Sequence, residues 1–211
     1  MRQRPAVAAS PFQFSPNETI MALCWNCQNE LDSKHFCDRC RKIQPTPPGV
    51  DFFIFFSLPQ KLTLNLEILS RRFYELSRQF HPDFYQKLSP REREISTEKT
   101  SFLNQAYQIL RDPWRRMEYA VGLEGIDAKK EGKAVSPELL KEVLIIQEEG
   151  GENPEVLERL RERLGLLGAR RERLFLKWDQ TDLRRPIAEE MVALLHEKKY
   201  LETALRNLEK V

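Results

Sequence analysis

Four cysteines and one His-Pro-Asp tripeptide are the residues of this chain whose types and spacing suit them to chemistry. Cys24-Trp25-Asn26-Cys27 and Cys37-Asp38-Arg39-Cys40 form two CxxC units with nine residues between them, and the 211-residue chain holds no other cysteine. Each unit offers two thiolates to one tetrahedral ion, and the intervening loop returns the chain for the second pair. A redox dithiol would need only one such unit. Zinc suits four thiolates, and the same four sulfurs suit iron equally well. Four protein ligands leave no open position for water, so Cys24, Cys27, Cys37 and Cys40 read as a structural centre and not a hydrolytic one. His35, inside the loop, reads as a spectator. A segment this short cannot bury a core, so the ion, worth an apparent ~10–16 kcal/mol in small zinc modules, would supply the fold itself.

The tripeptide is His81-Pro82-Asp83, within QFHPDFY. Catalysis at His81 would need a nucleophile, a metal or an orienting group close by, and a pocket; the neighbouring sequence offers none of them. Taken alone it is a turn in which Pro82 stops a helix and Asp83 bonds a loop amide. The chain also lacks a GxxxxGK phosphate loop.

Helices must position both features. Leu66, Leu69, Phe73, Leu76 and Phe80 fall on one face at 3.6-residue periodicity, and the pattern stops at Pro82. Beyond Pro90 a second helix places Ile95, Phe102, Ala106 and Ile109 on one stripe and ends before Asp112-Pro113. Facing stripes make an antiparallel hairpin with the loop 81–89 at its tip. A short helix from Pro113 to about Val121 follows, and DFFIFFSLP upstream reads as a short helix packed over the hairpin. Arg71, Glu75 and Arg78 lie off the first stripe and form a mainly basic outer face.

Towards the C-terminus, helices are expected over Pro137 to Glu149, Pro154 to Leu164, and about Asp182 to Lys210. ARRERLFLKWDQ between the last two is expected to be helical in part. Ile187, Met191, Leu194, Leu201, Leu205 and Leu208 follow the 3/4 spacing of a bundle seam. In PELLKEVLIIQEE, Leu139, Val143 and Ile146 make a core face, with Leu140 and Leu144 to one side and Ile145 to the other, more apolar surface than one buried stripe requires. The fold class is therefore mainly α. Its parts are a tail (1–20), a zinc-ribbon-like tetracysteine module (21–44), a proline-rich linker (45–50), the hairpin domain (51–121), a connector (122–136) and an antiparallel helical bundle (137–211).

Composition bounds the function. Charged residues make up 31% of the chain, and 34 basic against 32 acidic side chains alternate along the helices. No strongly basic domain marks a nucleic-acid partner, and no apolar run nears the roughly 18 residues of a membrane span. The leader MRQRPAVAASPFQFSPN has two arginines and no acid, as organellar transit segments do, but its prolines oppose an amphipathic helix, so it reads as a disordered tail. Without a secretory stretch, the cysteines are expected in a reducing compartment.

HPD between two amphipathic helices, the second carrying NQAYQILRDPWRR, resembles a J-domain over about residues 51–121. With DFFIFFSLP before the hairpin, HPDFY in the loop, the connector into a C-terminal bundle and the paired CxxC units, the chain resembles HscB-type co-chaperones of iron-sulfur cluster assembly, in their tetracysteine subset, over roughly 21–211. The resemblance implies a non-enzymatic adaptor. His81, Pro82 and Asp83, with Arg71 and Arg78, would contact a DnaK/HscA-type chaperone and stimulate its ATP hydrolysis. Leu140, Lys141, Leu144, Ile145 and Glu148, with Lys199 and Tyr200, would bind an IscU-type scaffold. Lys141 stands where that family commonly has an apolar residue, and Ile145 where it has an acid. The implied setting is the bacterial cytoplasm or the mitochondrial matrix, and homodimerisation stays open. A zinc-ribbon nucleic-acid-binding or transcription accessory protein is the other class the cysteines and an isoelectric point near 8.3 allow, although the metal unit has few aromatics to stack bases.

Overall fold

Capping residues mark where most of the helices begin. In the computed structural model, which describes residues 23–31, 35–128, 130, 137–148 and 154–208, Asp51 caps α1 (Phe52–Phe55) by accepting from the Phe53 N–H at 2.7 Å. Asn65 caps α2 (Leu66–Phe80) through the N–H groups of Glu67 and Ile68. Ser89 and Glu92 form a reciprocal capping box on α3 (Pro90–Arg111), whose first residue is proline. Asp112 caps α4 (Pro113–Leu123) through Trp114 and Arg115, so the Asp-Pro step ends one helix and starts the next. Three longer segments complete the described chain: α5 (Pro137–Glu148), α6 (Pro154–Asp179) and α7 (Arg184–Leu208). Among the described residues the only β pairings are two isolated bridges, Leu23 with Glu30 and Phe36 with Ile43. Residues 1–22, 32–34, 129, 131–136, 149–153 and 209–211 lie outside the described residues, and with them the tail, the first two residues of the tetracysteine module and much of the connector.

The hairpin of α2 and α3 buries Leu69, Leu76 and Phe80 against Ile95, Leu103, Ala106 and Leu110. This shifts the expected stripes. Leu66 is exposed, and Phe73, Phe102 and Ile109 are half-buried at the margins. The α3 face is broad because it meets α2, α4 and also the aromatic turn α1, where Phe102 meets Phe52 and Phe55 with centroids at 5.3 and 4.8 Å. The expected short helix in DFFIFFSLP is thus a single turn that plugs the hairpin. Tyr119 of α4 holds it from behind, stacking on Phe52 and accepting the Phe52 N–H at 2.9 Å.

α6 is one continuous helix, where a break after Leu164 and only partial helix beyond were expected. Gly165 and Gly168 lie inside it. Each costs roughly 1 kcal/mol relative to alanine, but Leu160, Leu167, Leu174, Phe175 and Trp178 are buried along its length, and that burial decides the outcome. The α7 seam is as expected: Ile187, Met191, Leu194, Leu201 and Leu208 are buried and Leu205 half-buried. α7 packs on α6, α5 and α4. Asp179 at the end of α6 reaches back to the α1–α2 loop, accepting from the Leu62 and Thr63 N–H groups at 2.7 and 2.9 Å, so hairpin and bundle share an interface.

Candidate functional site

The two CxxC units fold into equivalent knuckles. In the first, the Cys24 N–H donates to the Asn29 carbonyl and the Gln28 N–H to the Cys24 carbonyl; in the second, Cys37 donates to Lys42 and Arg41 to Cys37. The residue after each second cysteine, Gln28 and Arg41, takes a positive φ of 58° and 60°. The four sulfurs lie within 4.8 Å of one another. Cys24 Sγ is 3.6 Å from Cys40 Sγ, and Cys27 Sγ is 3.7 Å from Cys37 Sγ. A tetrahedron with metal–sulfur bonds of about 2.3 Å has edges of about 3.8 Å, so the four residues fit one ion.

Electrostatics around the sulfurs agree. Burial pushes the Cys24 thiol up, but the N–H groups of Cys27 and Asn26 and the neighbouring thiols outweigh it, lowering it to about 6. At Cys27 the Asn29 N–H favours the thiolate, yet desolvation and the three other sulfurs win and push it up to about 11. Four crowded sulfurs resist sharing four negative charges without a cation. The Gln44 side chain donates to Cys24 Sγ at 3.4 Å, a contact outside the ligand set that orients a sulfur.

The module does not stand apart from the hairpin. His35 takes no part in the sulfur cluster. Its Nε2 donates to the Phe55 carbonyl at 3.2 Å, its Nδ1 accepts from Lys99 at 3.1 Å, and its ring meets Phe55 and Phe80 edge-on. This pattern assigns the neutral Nε2–H tautomer. Lys42 pairs with the buried Glu92 at 2.9 Å. Lys99 is only 1% exposed, with its ammonium over the Phe55 and Phe80 rings.

Burial drives Lys99 down from 10.5 to about 7. Between those values the unfolded chain carries a proton that the folded chain has lost, so the penalty of burying the lysine is full below the folded pKa and fades as pH rises. Lys99→Met is expected to stabilise the protein by on the order of a few kcal/mol near pH 6 and by little near pH 10.5. Urea midpoints at the two pH values test this, and a gain that does not shrink with pH would contradict it.

At the other end of Phe80 the chain turns outward. His81, Pro82 and Asp83 begin a single 3₁₀ turn, Pro82–Tyr85. The side chain of His81 is 50% exposed and that of Asp83 70%. The His81 Nδ1 accepts the Asp83 N–H at 3.3 Å. Tyr85 anchors the turn beneath them, buried and donating to the Gln79 carbonyl at 2.9 Å. The described side-chain partners of His81 are the Asp83 carboxylate, 3.5 Å from Nδ1, and the Phe84 ring.

Arg71, Glu75 and Arg78 are exposed on the outer face of α2. Two exposed aromatics there were missed by the sequence reading. Tyr74 stands 63% exposed on that face, and Phe84 69% exposed directly after the tripeptide. The signal was available for Tyr74, since 71, 74, 75 and 78 share one face of a helix.

On α5, Leu139 and Val143 are buried, while Leu140, Lys141, Leu144 and Ile145 are exposed. Glu148 closes the helix, and its side chain, like that of Ile146, lies outside the described residues. α5 packs on α7, which carries Lys199, exposed, and Tyr200, half-buried against the core. Among the described residues no helix is long and apolar enough to cross a membrane.

The class the structure defines is a mainly helical protein in which a hairpin presenting His-Pro-Asp at its turn, closed by a short helix, joins a helical bundle, with a tetracysteine cluster in front. No family model matches the chain. It is 30% identical over 125 residues to the iron-sulfur cluster co-chaperone protein HscB homolog of Arabidopsis thaliana, covering 59% of this chain and 49% of that protein. Against the co-chaperone protein HscB homolog of Vibrio cholerae it is 36% identical over 101 residues, covering 47% of this chain and 59% of the relative. The chain thus spans about half the length of the curated relatives it matches. The crystal structure of human co-chaperone protein HscB superposes with a TM-score of 0.70 over 89% of this chain and 97% of the other, at 22% identity. By sequence the chain is similar to these HscB co-chaperones over part of their length, and its fold is similar to that of the solved human structure.

Proposed function

We propose that the chain is a co-chaperone of iron-sulfur cluster biogenesis whose His81-Pro82-Asp83 corner docks on a DnaK/HscA-type chaperone and stimulates its ATP hydrolysis. The C-terminal bundle brings an IscU-type scaffold to the same chaperone. The observation that carries this is the corner itself: His81 and Asp83 exposed at the apex of a hairpin with Pro82 half-buried between them, anchored from below by Tyr85. Arg71 and Arg78 would steer encounter with an acidic chaperone surface, and Tyr74 and Phe84 would supply apolar anchors. Leu140, Lys141, Leu144 and Ile145, with Glu148, Lys199 and Tyr200, form the scaffold surface; exposed leucine and isoleucine on one helix are what a partner covers. Joining the two surfaces in one chain raises the local concentration of scaffold at the chaperone. The ion is zinc in this reading, held by Cys24, Cys27, Cys37 and Cys40, and thiolate ligation of this kind suits a reducing compartment, the bacterial cytoplasm or the mitochondrial matrix.

Steady-state ATP hydrolysis by the chaperone, with and without scaffold, is the test. His81→Gln is expected to reduce the stimulation about tenfold or more, the loss typical of a central interface residue. Leu144→Ala is expected to weaken scaffold binding about tenfold and leave stimulation in the absence of scaffold unchanged. Stimulation that ignores His81 would sink the reading.

A further inference from the structure

The loop that displays His81, Pro82 and Asp83 is gripped at both ends by one small element, the second cysteine knuckle. At the entry side, Phe80 is fully buried. Its ring meets Phe36, the residue before Cys37, at 6.0 Å, and His35 at 5.0 Å. Its carbonyl accepts from Ser96 and Thr100 of α3 at 2.6 and 3.1 Å. At the exit side, Glu92 accepts from Ser89, closing the box that starts α3, and also from Lys42, two residues after Cys40. Phe36 and Lys42 are themselves locked together, since Phe36 bridges to Ile43 and the Cys37 N–H donates to the Lys42 carbonyl at 2.9 Å.

Glu92 is the residue at which this grip is concentrated. It is 3% exposed in a place where a carboxylate is costly. Burial pushes it up, but the hydrogen bonds from Lys42 and Ser89 outweigh that and hold it below the ordinary carboxylate range. Withdrawing Lys42 leaves a buried charge with Ser89 as its remaining described partner, and the loop end that Ser89 belongs to must loosen to admit water.

We propose that the second cysteine knuckle is a brace on the His81-Pro82-Asp83 corner, with Lys42 and Phe36 as positioning residues that hold the two ends of the loop at fixed separation. This rests on the reading of that corner as the chaperone contact. The cysteine module is thereby part of the triggering end of the molecule, and loading it with metal preorganises the loop for docking. Preorganisation strengthens binding by removing the ordering cost from the encounter.

Amide hydrogen exchange on the full-length, zinc-loaded chain tests the brace without the chaperone. In Lys42→Met, exchange of amides between Gln79 and Glu92 is expected to quicken about fivefold, with α6 and α7 unchanged, since opening is local to the contacts removed. Lys42→Arg, which keeps the charge on Glu92, is expected to restore most of the protection. Stripping zinc with a chelator is expected to produce the same local pattern. In the ATPase assay, Lys42→Met should require about threefold more protein for half-maximal stimulation, with the maximal rate kept. Loop protection unchanged both in Lys42→Met and after zinc removal would overturn the brace. Failure of the unaltered chain to stimulate any chaperone would instead strike the function reading, and the exchange result would still decide the brace.

Discussion

Cys37→Ser is expected to abolish tight metal binding and unfold the segment from Leu23 to Gln44, while the helices keep their signal in circular dichroism. A serine hydroxyl does not ionise near neutral pH, so three thiolates remain where four are needed to close the tetrahedron. The segment has little apolar interior of its own: among its described residues Cys24, Cys37, Ile43 and Gln44 are buried, with Trp25 and Phe36 half-covered, and its contacts with the hairpin run through His35, Phe36 and Lys42. Gln28 and Arg41 occupy left-handed backbone, which costs roughly 1–2 kcal/mol per non-glycine residue. An ion worth an apparent ~10–16 kcal/mol dominates that balance.

The pH dependence has a definite sign. A thiol at about 11 and another at about 6 mean that the metal-free cluster carries protons at neutral pH that binding must expel, so acid opposes binding and mild alkali favours it. Metal content after dialysis, and protease cleavage within 23–44, measure the outcome. A variant that retains its metal and resists cleavage would show that the segment is held by something other than the four sulfurs.

How far the sequence reveals this arrangement depends on the range of the physics. Both knuckles were legible because CxxC spacing is local, and so were the stops at Pro82 and Asp112-Pro113 and the α7 seam. The exposed flanks of α5 were also legible, since angles around a helix follow from residue number alone. The docking of the cysteine module was not. Lys42 and Glu92 are fifty residues apart, and no periodicity encodes such a pairing. Glu92 reads locally as half of a capping box, Lys99 as one more surface lysine, and His35 as a bystander between two cysteine pairs. Each becomes a contact only when the module folds back over Phe80. The continuity of α6 was hidden for the converse reason: two glycines are a local signal for a break, and the burial that overrides them against α7 is a tertiary effect.

That junction gives the second large expectation. Phe80→Ala is expected to destabilise the protein by about 3–5 kcal/mol, the range for deleting a buried aromatic ring. The site has little room to collapse, because the ring is bordered by elements pinned from elsewhere: His35 and Phe36 by the second knuckle, Phe55 by the turn α1, and Lys99 by α3. Removing it also takes an aromatic face from beneath a buried ammonium, which worsens the solvation of Lys99. The Phe80 carbonyl stays bonded to Ser96 and Thr100, so the helix end is retained and the loss is one of packing. Phe73 on the same helix is the internal control. It is half-buried and stacked on Tyr107 at 4.1 Å at the margin of the hairpin, so Phe73→Ala should cost clearly less. Urea midpoints of both variants decide between a core centred on α2 and α3 alone and one that extends through Phe80 into the cysteine module. Equal costs would favour the first, and a larger loss at Phe80, accompanied by faster proteolysis within 23–44, the second.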